Sequence, residues 1–343
     1  MNFLDLFAGI GGFRLGMERA GHKCVGYCEI DKYARLSYNA IHNIEGEIDY
    51  KDITEVTNEE FRKLRGKVDV ICGGFPCQAF SIAGNQLGFE DARGTLFYEI
   101  ARAAEQIKPR YLFLENVRNL LSHDKGETFA RMLKILDELG YDTEWQVLNS
   151  KNFGVPQNRE RVFIIAHLRG ERTYRVFPIR GKDKKLNTDG EVNQVGSIGK
   201  SDNFGGNPQV TRVYDINGIS PTLNTMQGGG REPKILVREA TKQGYAVANV
   251  GDSINFSHPN SKTRRGRVGK NIANTLLTSD EQGVVLSDYK IRKLTPRECW
   301  RLQGFPDWAF DKAQAVNSNS QLYKQAGNSV TVNVIEEIAK RLK

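Results

Sequence analysis

The chain has 343 residues, of which 39% are hydrophobic and 26% are charged, so it can bury a sizeable core in about two domains and is not largely disordered. It contains no apolar run of about 18 residues, which excludes a typical membrane-spanning helix. Its start lacks the features of a secretory signal, so we expect a cytoplasmic protein. The formal net charge of +8 favours a polyanionic partner, although a solvated basic face would give the same excess.

Residues 1–166 alternate between strand-like and helix-like segments. The first strand, Phe3–Phe7, ends in a glycine-rich turn, and a helical pattern, Phe13–Ala20, follows it. The further predicted strands are Lys23–Glu29, Val68–Cys72, Tyr111–Leu114, Glu144–Leu148 and Arg161–Ala166. The further predicted helices are Asp31–His42, Thr95–Ile107 and Glu127–Leu139. This alternation predicts a doubly wound α/β fold with a mostly parallel sheet, in which ligands bind at the carboxyl ends of the strands.

The character of the chain changes over residues 167–290. Gly, Asn, Ser and Thr become frequent, helical periodicity disappears, and 19 Lys and Arg stand against 12 Asp and Glu. Residues 219–225 and 272–278 resemble each other, which indicates two similar loop–strand units. We expect a second, smaller, loop-rich β domain that carries most of the excess positive charge. Its predicted strands are Lys234–Val237, Tyr245–Val250 and Val284–Leu286.

The last part of the chain returns to helical patterns. Thr295 and Pro296 have the pattern of a helix N-cap and a first helical position. Val332–Leu342 has the apolar spacing of a final helix. We expect the tail from about residue 325 to pack with the first domain, and residues 291–324 to link the two domains.

Glycines and acidic residues near predicted strand ends indicate a nucleotide-type cofactor. The turn Asp5–Gly12 has the glycines that would cradle a phosphate. Glu29 at the end of the second strand suits a ribose, and Asp52 with Ile53 suits an adenine edge. These residues together predict a cofactor that contains adenosine and leave open which one it is.

The segment 73–81 places a cysteine on a loop directly after a predicted buried strand. Glycine lets a ligand approach the backbone closely, and Pro76 fixes the chain direction before Cys77. Cys77 therefore has the setting of a nucleophile, although a buried structural thiol is the alternative. We interpret Cys24 and Cys28 as core residues, because no second ligand pair accompanies them, and we predict no metal site.

Three further segments carry polar residues at the predicted cleft. Glu115 ends the strand Tyr111–Leu114 and is either a proton donor with a raised pKa or a solvated carboxylate. Arg159 and Arg161 alternate in an extended segment, so both face one side, where they would hold an anion or carbonyl or form ordinary salt bridges. Asn328 stands before the last helix, where a capping role explains it equally well.

Read in chain order, these motifs resemble those of the cytosine-C5 DNA methyltransferase family of the prokaryotic and phage type. The resemblance covers nearly the whole chain outside residues 167–290, where that family has its variable target-recognition domain. It implies a Rossmann-like methyltransferase sheet. The matching segments are DLFAGIGGFRLG (5–16), EID (29–31), DI (52–53), GGFPCQAFS (73–81), GTLFYEIAR (94–102), ENV (115–117), FGVPQNRERVFIIA (153–166), RKLTPREC with RLQGFPD (292–307) and QAGNSV (325–330).

The resemblance also implies a mechanism. Cys77 would add to C6 of a flipped-out cytosine, and C5 would then take a methyl group from S-adenosylmethionine. Glu115 would contact N3 of the base, Arg161 would lie near O2, and Arg159 would support the same pocket. The glycine turn would approach the amino-acid end of the donor, which displaces the phosphate interpretation. The residues implied in cofactor binding are Phe7, Gly9, Gly11, Glu29, Ile30, Asp52, Ile53, Pro76, Leu96 and Asn328.

Target recognition is expected in residues 167–290. Arg231 follows a run of glycines and would read guanine, whereas Arg264, Arg265 and Arg267 would meet phosphates. Thr222 and Thr275 belong to the two similar units and would enter the major groove. The candidate DNA-binding residues are Gln78, Ser81, Thr222, Arg231, Arg265 and Thr275.

Two alternatives stay open at this point. A small relative in the same family methylates a tRNA cytosine, although the long basic recognition region here favours duplex DNA. An inactive homologue would only bind DNA, although every residue that the chemistry needs is present. We expect a monomeric protein of a restriction–modification setting, with or without a cognate restriction endonuclease.

Overall fold

The computed structural model describes residues 1–76, 96–181, 213–215, 234–257, 261, 263–278, 282–286 and 291–343. Within these ranges, one sheet of seven strands organises the first half of the chain. The strands are β1 (Asn2–Leu6), β2 (Lys23–Cys28), β3 (Ile48–Tyr50), β4 (Val70–Gly74), β5 (Tyr111–Val117), β6 (Tyr141–Asn149) and β7 (Glu160–Leu168). Their order across the sheet is β3-β2-β1-β4-β5-β7-β6. The first five strands in this order are parallel, and β7 is antiparallel to β5 and β6. The predicted doubly wound, mostly parallel α/β fold is confirmed.

Nine α-helices occur in the described ranges, and two of the predicted helix starts have side-chain caps. The Asp31 carboxylate accepts hydrogen bonds from two amides of the first turn of the second helix. Thr295 and Glu298 form a reciprocal capping box, with Pro296 at the first position of the sixth. The helices are α1 (Gly12–Arg19), α2 (Lys32–Ile41), α3 (Asn58–Arg62), α4 (Leu96–Ile107), α5 (Glu127–Glu138), α6 (Pro296–Leu302), α7 (Asp307–Gln314), α8 (Asn319–Asn328) and α9 (Val332–Ala339).

Alternating residues of β1 divide the core between the two faces of the sheet. Leu4 and Leu6 face a cluster that includes side chains of α3, α4 and α5. Phe3 faces the opposite cluster, which includes side chains of α1 and α9. Each fully buried leucine or phenylalanine contributes roughly 1.5–3 kcal/mol, so burial on both faces stabilises the strands that carry the site.

The last helix, α9, packs against the first helix, α1. Val334 and Ile335 share a buried cluster with Phe13 and Met17. A Cβ added to Gly16 would lie 2.6 Å from the Cβ of Ile335, so the two helices are in close contact. The C-terminal helix therefore completes the face of the sheet that begins with β1.

Residues 174–179 pack on this same face after the last strand of the sheet. Val176, Phe177 and Ile179 join the cluster of α1 and α9. The Glu144 carboxylate of β6 accepts hydrogen bonds from the amides of Val176 and Phe177. The chain thus stays with the sheet beyond residue 166, where the sequence changes in character.

A third cluster joins helices α6 to α8 to the rest of the molecule. Trp300 is fully buried in it, and its indole N–H donates to the Leu322 carbonyl at 3.0 Å. Ile10 from the glycine turn and Leu276 from the recognition region belong to the same cluster. One apolar core thus connects the start of α1 to both later parts of the chain.

Residues 213–293, most of which belong to the predicted recognition region, contain two small sheets in their described parts. Their strands are β8 (Val213–Asp215), β9 (Lys234–Arg238), β10 (Tyr245–Ala248), β11 (Ser253–Asn255), β12 (Val268–Gly269), β13 (Gln282–Val285) and β14 (Ile291–Lys293). The orders are β10-β9-β8 and β12-β11-β13-β14. Val237, Ala248, Ile254 and Val285 form a small buried core, as expected for a smaller β region.

Some short elements have no counterpart in the sequence prediction. β3 is a three-residue edge strand in which no residue is buried, so it lacks the apolar alternation that indicates a strand.

The helices of the described ranges include none with both the length and the apolar character that a bilayer crossing requires.

Candidate active site

A cavity of about 440 Å³ lies at the carboxyl ends of β1, β2, β4 and β5. This is the position at which open α/β sheets bind their ligands. Gly11, Asp52 and Ile53 are outside its lining, and the other described residues that we predicted as catalytic or cofactor-binding are part of it. These lining residues are Phe7, Gly9, Glu29, Ile30, Pro76, Leu96, Glu115, Arg159, Arg161 and Asn328.

The turn after β1 has a left-handed backbone at Phe7, Gly9 and Gly11, whose φ angles are 56°, 58° and 84°. The Gly9 amide donates to one carboxylate oxygen of Glu29 at 2.7 Å, and the Asp31 amide donates to the other at 2.7 Å. Burial raises the pKa of Glu29, and these amide hydrogen bonds oppose the rise. The Glu29 carboxylate is therefore fixed at the end of β2, with lone pairs left for a ligand hydroxyl.

Gly11 has no room for a side chain because His42 fills the adjacent space. A Cβ on Gly11 would overlap the imidazole Nε2 of His42. That nitrogen lies 3.3 Å from the Ile10 carbonyl. Burial lowers the pKa of His42 to about 3, so the ring is neutral. Gly11 thus shapes the turn from behind the cavity.

Three of the predicted cofactor-binding residues, Ile30, Asp52 and Ile53, differ in their surroundings. Ile30 is 62% exposed, an apolar side chain at the edge of the cavity. Asp52 accepts hydrogen bonds from the amide and hydroxyl of Thr54 at 2.9 and 2.8 Å, and Ile53 is buried. Asp52 and Ile53 therefore form a structured turn after β3, beside β2, and do not contribute to the lining.

Glu115 and Arg161 form an ion pair in the cavity. The Arg161 Nε lies 3.1 Å from the Glu115 Oε1. The two are diagonal neighbours on β5 and β7, because Glu115 lies opposite Phe163. Burial raises the pKa of Glu115, and the charges of Arg161 and Arg159 oppose this rise. A raised pKa favours the protonated carboxyl, which is the form that a proton donor needs.

Arg159 lies beside this pair and is 3% exposed. Its guanidinium donates to the carbonyls of Ser329 at 2.8 Å, Gly327 at 3.2 Å and Leu276 at 3.4 Å. Its Nε finds no hydrogen-bond partner among the described residues. Burial, with the neighbouring Arg161, lowers its pKa to about 9. The guanidinium is still mainly charged near pH 7, and carbonyls from separate segments hold it.

Glu160 confirms that the two arginines share one side of the chain. It lies between them in sequence, is exposed, and pairs with Arg118 at 2.6 Å on the opposite side. The alternation that the sequence predicted therefore directs both arginines, and not the intervening carboxylate, into the cavity.

Several predicted residues lie outside the described ranges, although the chain next to the most important one is well defined. The residues concerned are Cys77, Gln78, Ser81, Thr222 and Arg231. Pro76, which directly precedes Cys77, lines the cavity. The Phe75 carbonyl accepts a hydrogen bond from the Asn116 side chain at 2.9 Å, and Asn116 is 2% exposed. Asn116 thus fixes the chain just before Cys77.

Asn116 and Lys324 line the cavity, although no sequence pattern predicted a role for either. Asn116 was part of a matched motif, and its place beside Glu115 at a strand end was the available signal. Lys324 pairs with Asp31 at 2.7 Å, and both line the cavity. This pair joins α8 to the start of α2, a contact between distant segments that no local pattern indicates.

The recognition candidates that the structure describes have unlike environments. Arg265 is exposed, and its Nε donates to the Ala240 carbonyl at 2.8 Å. The Thr275 hydroxyl donates to the Asn158 carbonyl at 2.7 Å, so it faces the strand-end loop before β7. Arg267 is 4% exposed, which does not suit the phosphate contact that we expected for it.

Possible metal ligands and the thiols of Cys24 and Cys28 lie in the described part of the chain. Among the described residues, His, Cys, Asp and Glu side chains form no group of three or more that could hold a metal ion. Cys24 and Cys28 are buried, and burial raises the pKa of each thiol to about 12. Thiols in this state are unreactive packing groups.

The fold is an α/β fold whose cavity at the strand ends contains a buried carboxyl–arginine pair. The family model for C-5 cytosine-specific DNA methylase matches residues 1–343, so the chain belongs to that family. The resemblance seen in its motifs is confirmed.

Individual proteins that are similar to this chain are also methyltransferases. The orphan methyltransferase M.SPRI of Bacillus phage SPR is 33% identical over 436 aligned residues, covering 100% of this chain and 97% of the phage protein. The type II methyltransferase M.HhaI of Haemophilus parahaemolyticus is 36% identical, covering 99% of this chain and 93% of its own length. A solved structure of a prophage-encoded methyltransferase in E. coli aligns with a TM-score of 0.60 at 23% identity, over 99% of this chain and 97% of the other, and supports the fold. The chain is therefore a DNA cytosine-5 methyltransferase.

Proposed function

We propose that this chain transfers a methyl group from S-adenosylmethionine to C5 of a flipped-out cytosine in a specific double-stranded DNA sequence, through a covalent adduct between Cys77 and C6. One observation carries the proposal. The Glu115–Arg161 ion pair and the Gly9–Glu29 contact line the same cavity. A carboxyl that can protonate a base and a turn that can hold a methyl donor therefore face the same cavity, which a cytosine and its methyl donor would share.

The residues around the glycine turn fit S-adenosylmethionine. The Glu29 carboxylate is fixed by two backbone amides and can still accept from ribose hydroxyls. Ile30 offers an exposed apolar surface to an adenine ring. A Cβ added to Gly9 would meet no atom within 4 Å, so the turn leaves open space for the donor. When bound, S-adenosylmethionine supplies an electrophilic methyl group.

Glu115, Arg161 and Arg159 fit the polar edge of a cytosine. Burial raises the pKa of Glu115, which favours a proton on the carboxyl where it would meet N3. The Arg161 guanidinium, 3.1 Å from the Glu115 carboxyl, would donate to O2. Arg159 would keep the pocket positive. Base edges lie within the stack of a duplex, so the cytosine must leave the helix first, at a cost of a few kcal/mol.

The chemistry needs a nucleophile because C5 of cytosine attacks a methyl sulfonium poorly by itself. The Cys77 thiolate would form a bond to C6 while N3 takes a proton from Glu115, which makes C5 part of an enamine. C5 then takes the methyl group, which leaves S-adenosylhomocysteine. A base removes the C5 proton, the Cys77–C6 bond breaks to regenerate the thiolate, and N3 returns its proton to Glu115. A free cysteine has a pKa of about 8.5, so the site must favour the thiolate.

We place the enzyme in the protection of bacterial or phage DNA from restriction. Its relatives include a type II methyltransferase and an orphan methyltransferase of a phage, so it acts with or without a cognate endonuclease. It works as a monomer inside the bacterial cell, and its basic recognition region selects the target sequence.

Transfer of a labelled methyl group from S-adenosylmethionine tests the proposal, with mixed-sequence duplex DNA and bulk tRNA as separate acceptors. We expect label in duplex DNA, and sequencing of the product gives the target site. Label in tRNA alone would support the tRNA alternative. Tight duplex binding without transfer to either acceptor would support the inactive homologue.

A pair of cysteine variants tests the adduct. Cys77→Ser should abolish both transfer and covalent trapping by a 5-fluorocytosine duplex of the target sequence. Cys72→Ala is the matched control, since Cys72 is fully buried in β4, and it should keep both activities. Methyl transfer by Cys77→Ser would overturn the proposed adduct.

A further inference from the structure

We propose that Gln157 is a positioning residue through which residues 273–278, here called the docking segment, hold Arg159 in the active-site cavity. This inference rests on the proposed function and adds to it a route from the DNA-recognition region to the reacting base.

The docking segment pairs with the loop before β7 along its backbone. The Ala273 amide donates to the Pro156 carbonyl at 2.9 Å, and the Asn158 amide donates to the Ala273 carbonyl at 2.9 Å. The Thr275 hydroxyl adds a third hydrogen bond, to the Asn158 carbonyl at 2.7 Å. The recognition region is therefore bonded to the residues directly beside Arg159, and not merely packed near them.

Gln157 lies at the centre of this contact and is fully buried. Its amide oxygen accepts from the Leu276 backbone N–H at 3.2 Å, and its amide nitrogen donates to the Leu302 carbonyl at 2.8 Å. Both polar atoms of one side chain are thus used to join the docking segment to the end of α6. A buried amide that lost either partner would carry the cost of an unsatisfied polar group, about 1–3 kcal/mol.

The next residues of the docking segment reach the cavity itself. The Leu276 carbonyl accepts from Arg159 at 3.4 Å. A Cβ added to Gly327 would overlap the Leu277 carbonyl, so the docking segment also lies directly on the end of α8. Arg159 donates to the Gly327 carbonyl as well. A shift of the docking segment would therefore change the surroundings of Arg159 on two sides.

The docking segment and the residue before it are also hydrogen-bonded to the four-stranded sheet β12-β11-β13-β14, here called the recognition sheet. Gln282 of β13 donates from its amide to the carbonyls of Asn274 and Thr275 at 3.0 and 2.9 Å. The Ser253 hydroxyl of β11 donates to the Ile272 carbonyl at 2.7 Å. Two strands of the recognition sheet are thus connected to the guanidinium of Arg159 by hydrogen bonds at both ends of the short backbone stretch 272–276.

This chain of contacts makes methyl transfer depend on how the recognition region sits on DNA. A duplex that seats the sheet correctly keeps the Leu276 carbonyl and the Gln157 amide in place, and Arg159 stays beside Glu115. A poorly seated duplex displaces the docking segment and removes one support of a charged group that is buried beside another arginine. Discrimination would then appear in the rate of the chemical step as well as in DNA affinity.

Single-turnover kinetics on a pre-bound target duplex test the role of Gln157. The rate is divided by the concentration of active sites, measured by trapping with a 5-fluorocytosine duplex, so that partial unfolding does not affect the result. Gln157→Met and Thr275→Val should each lower this rate about fivefold or more, as expected for the loss of a hydrogen bond, with the duplex Kd unchanged. Thr275→Ser keeps the hydroxyl and should restore the wild-type rate.

Asn333→Ala is the matched control. The Asn333 side chain donates to the Phe153 carbonyl at 2.8 Å, so it joins the same loop to α9 without touching the docking segment, and its rate per active site should equal that of the wild type. Wild-type rates per active site in Gln157→Met and Thr275→Val would overturn the inference. So would a loss in Thr275→Val that lies wholly in duplex Kd, since Thr275 would then be a DNA contact. A wild-type chain that methylates no duplex would instead remove the proposed function on which the inference rests.

Discussion

The imidazole of His42 occupies the space in which a side chain on Gly11 would lie. The ring is held there by its contact with the Ile10 carbonyl and by Tyr38, whose ring centroid is 4.6 Å away. The backbone at Gly11 is also left-handed, with φ of 84°. Packing and backbone conformation thus both require glycine at this position.

Gly11→Ala should lower the affinity for S-adenosylmethionine by about tenfold or more, because the turn or His42 must move. Overpacking of this kind costs about 1–3 kcal/mol. Isothermal titration calorimetry measures the effect. Gly21→Ala is the control, since Gly21 has φ of 87° but nothing within 4 Å of an added Cβ. It carries the same backbone penalty and should keep the affinity. Equal affinities in the two variants would contradict this account of the turn.

Asp5→Asn should make the stability of the protein less dependent on pH. Asp5 is fully buried. Burial raises its pKa to about 8. Between about pH 4 and pH 8 the folded chain therefore holds a proton that the unfolded chain has lost, and stability falls as pH rises, by up to about 1.4 kcal/mol per pH unit.

The measurement is the free energy of unfolding in urea at pH 5, 6.5 and 8. The side-chain amide that replaces the carboxyl in Asp5→Asn cannot ionise, so the variant should gain stability relative to the wild type as the pH rises. A constant difference between the two proteins across this range would show that Asp5 does not titrate with a raised pKa.

Glu115→Gln should reduce the rate of methyl transfer by roughly 10²–10⁴-fold, the usual contribution of a positioned proton donor. Because burial raises the pKa of Glu115, the wild-type rate should fall as the pH rises through this raised pKa and the carboxyl loses its proton, and the variant should lack that fall. Pre-steady-state rates over a range of pH measure it. Glu160→Gln changes a neighbouring carboxylate that faces Arg118 and should leave the profile unaltered.

Arg265→Ala should weaken the binding of target and random duplexes to the same extent. Arg265 is exposed on the recognition region, and a phosphate contact carries no sequence information. The slope of log K against log salt should become shallower by about one unit. Fluorescence anisotropy with both duplexes at several salt concentrations measures this.

Arg231→Ala should instead reduce discrimination between target and random duplexes. An equal loss of affinity for both duplexes would refute the role of Arg231 in reading a base.

The sequence predicted those features whose causes are local. The helix start with Thr295 as N-cap and Pro296 at the first position, the strand before Glu115 and the alternation of Arg159 with Arg161 all depend on a few adjacent residues. β3 was not predicted, because none of its three residues is buried and the strand has no apolar face. The pattern around Thr275 indicated a DNA contact, whereas its hydroxyl is bonded to Asn158. That bond joins residues far apart in sequence, and nothing near Thr275 reveals its partner.

The sequence predicted some residues of the cavity correctly and others not. Strand ends identified Glu29 and Glu115, because parallel strands bring their carboxyl ends to one edge. Asp52 and Ile53 match the family motif, yet they form a turn outside the cavity lining. Gln157 stood inside a matched motif without a role, since both partners of its amide, Leu276 and Leu302, come from much later in the chain.

The packing of α9 on α1 has a consequence for synthesis on the ribosome. Phe13 and Met17 of α1 are covered by Val334 and Ile335 of α9. Because α9 lies much later in the sequence than α1, a nascent chain exposes this apolar face until α9 has been synthesised. A product that stops before α9 would leave the face uncovered beside the glycine turn.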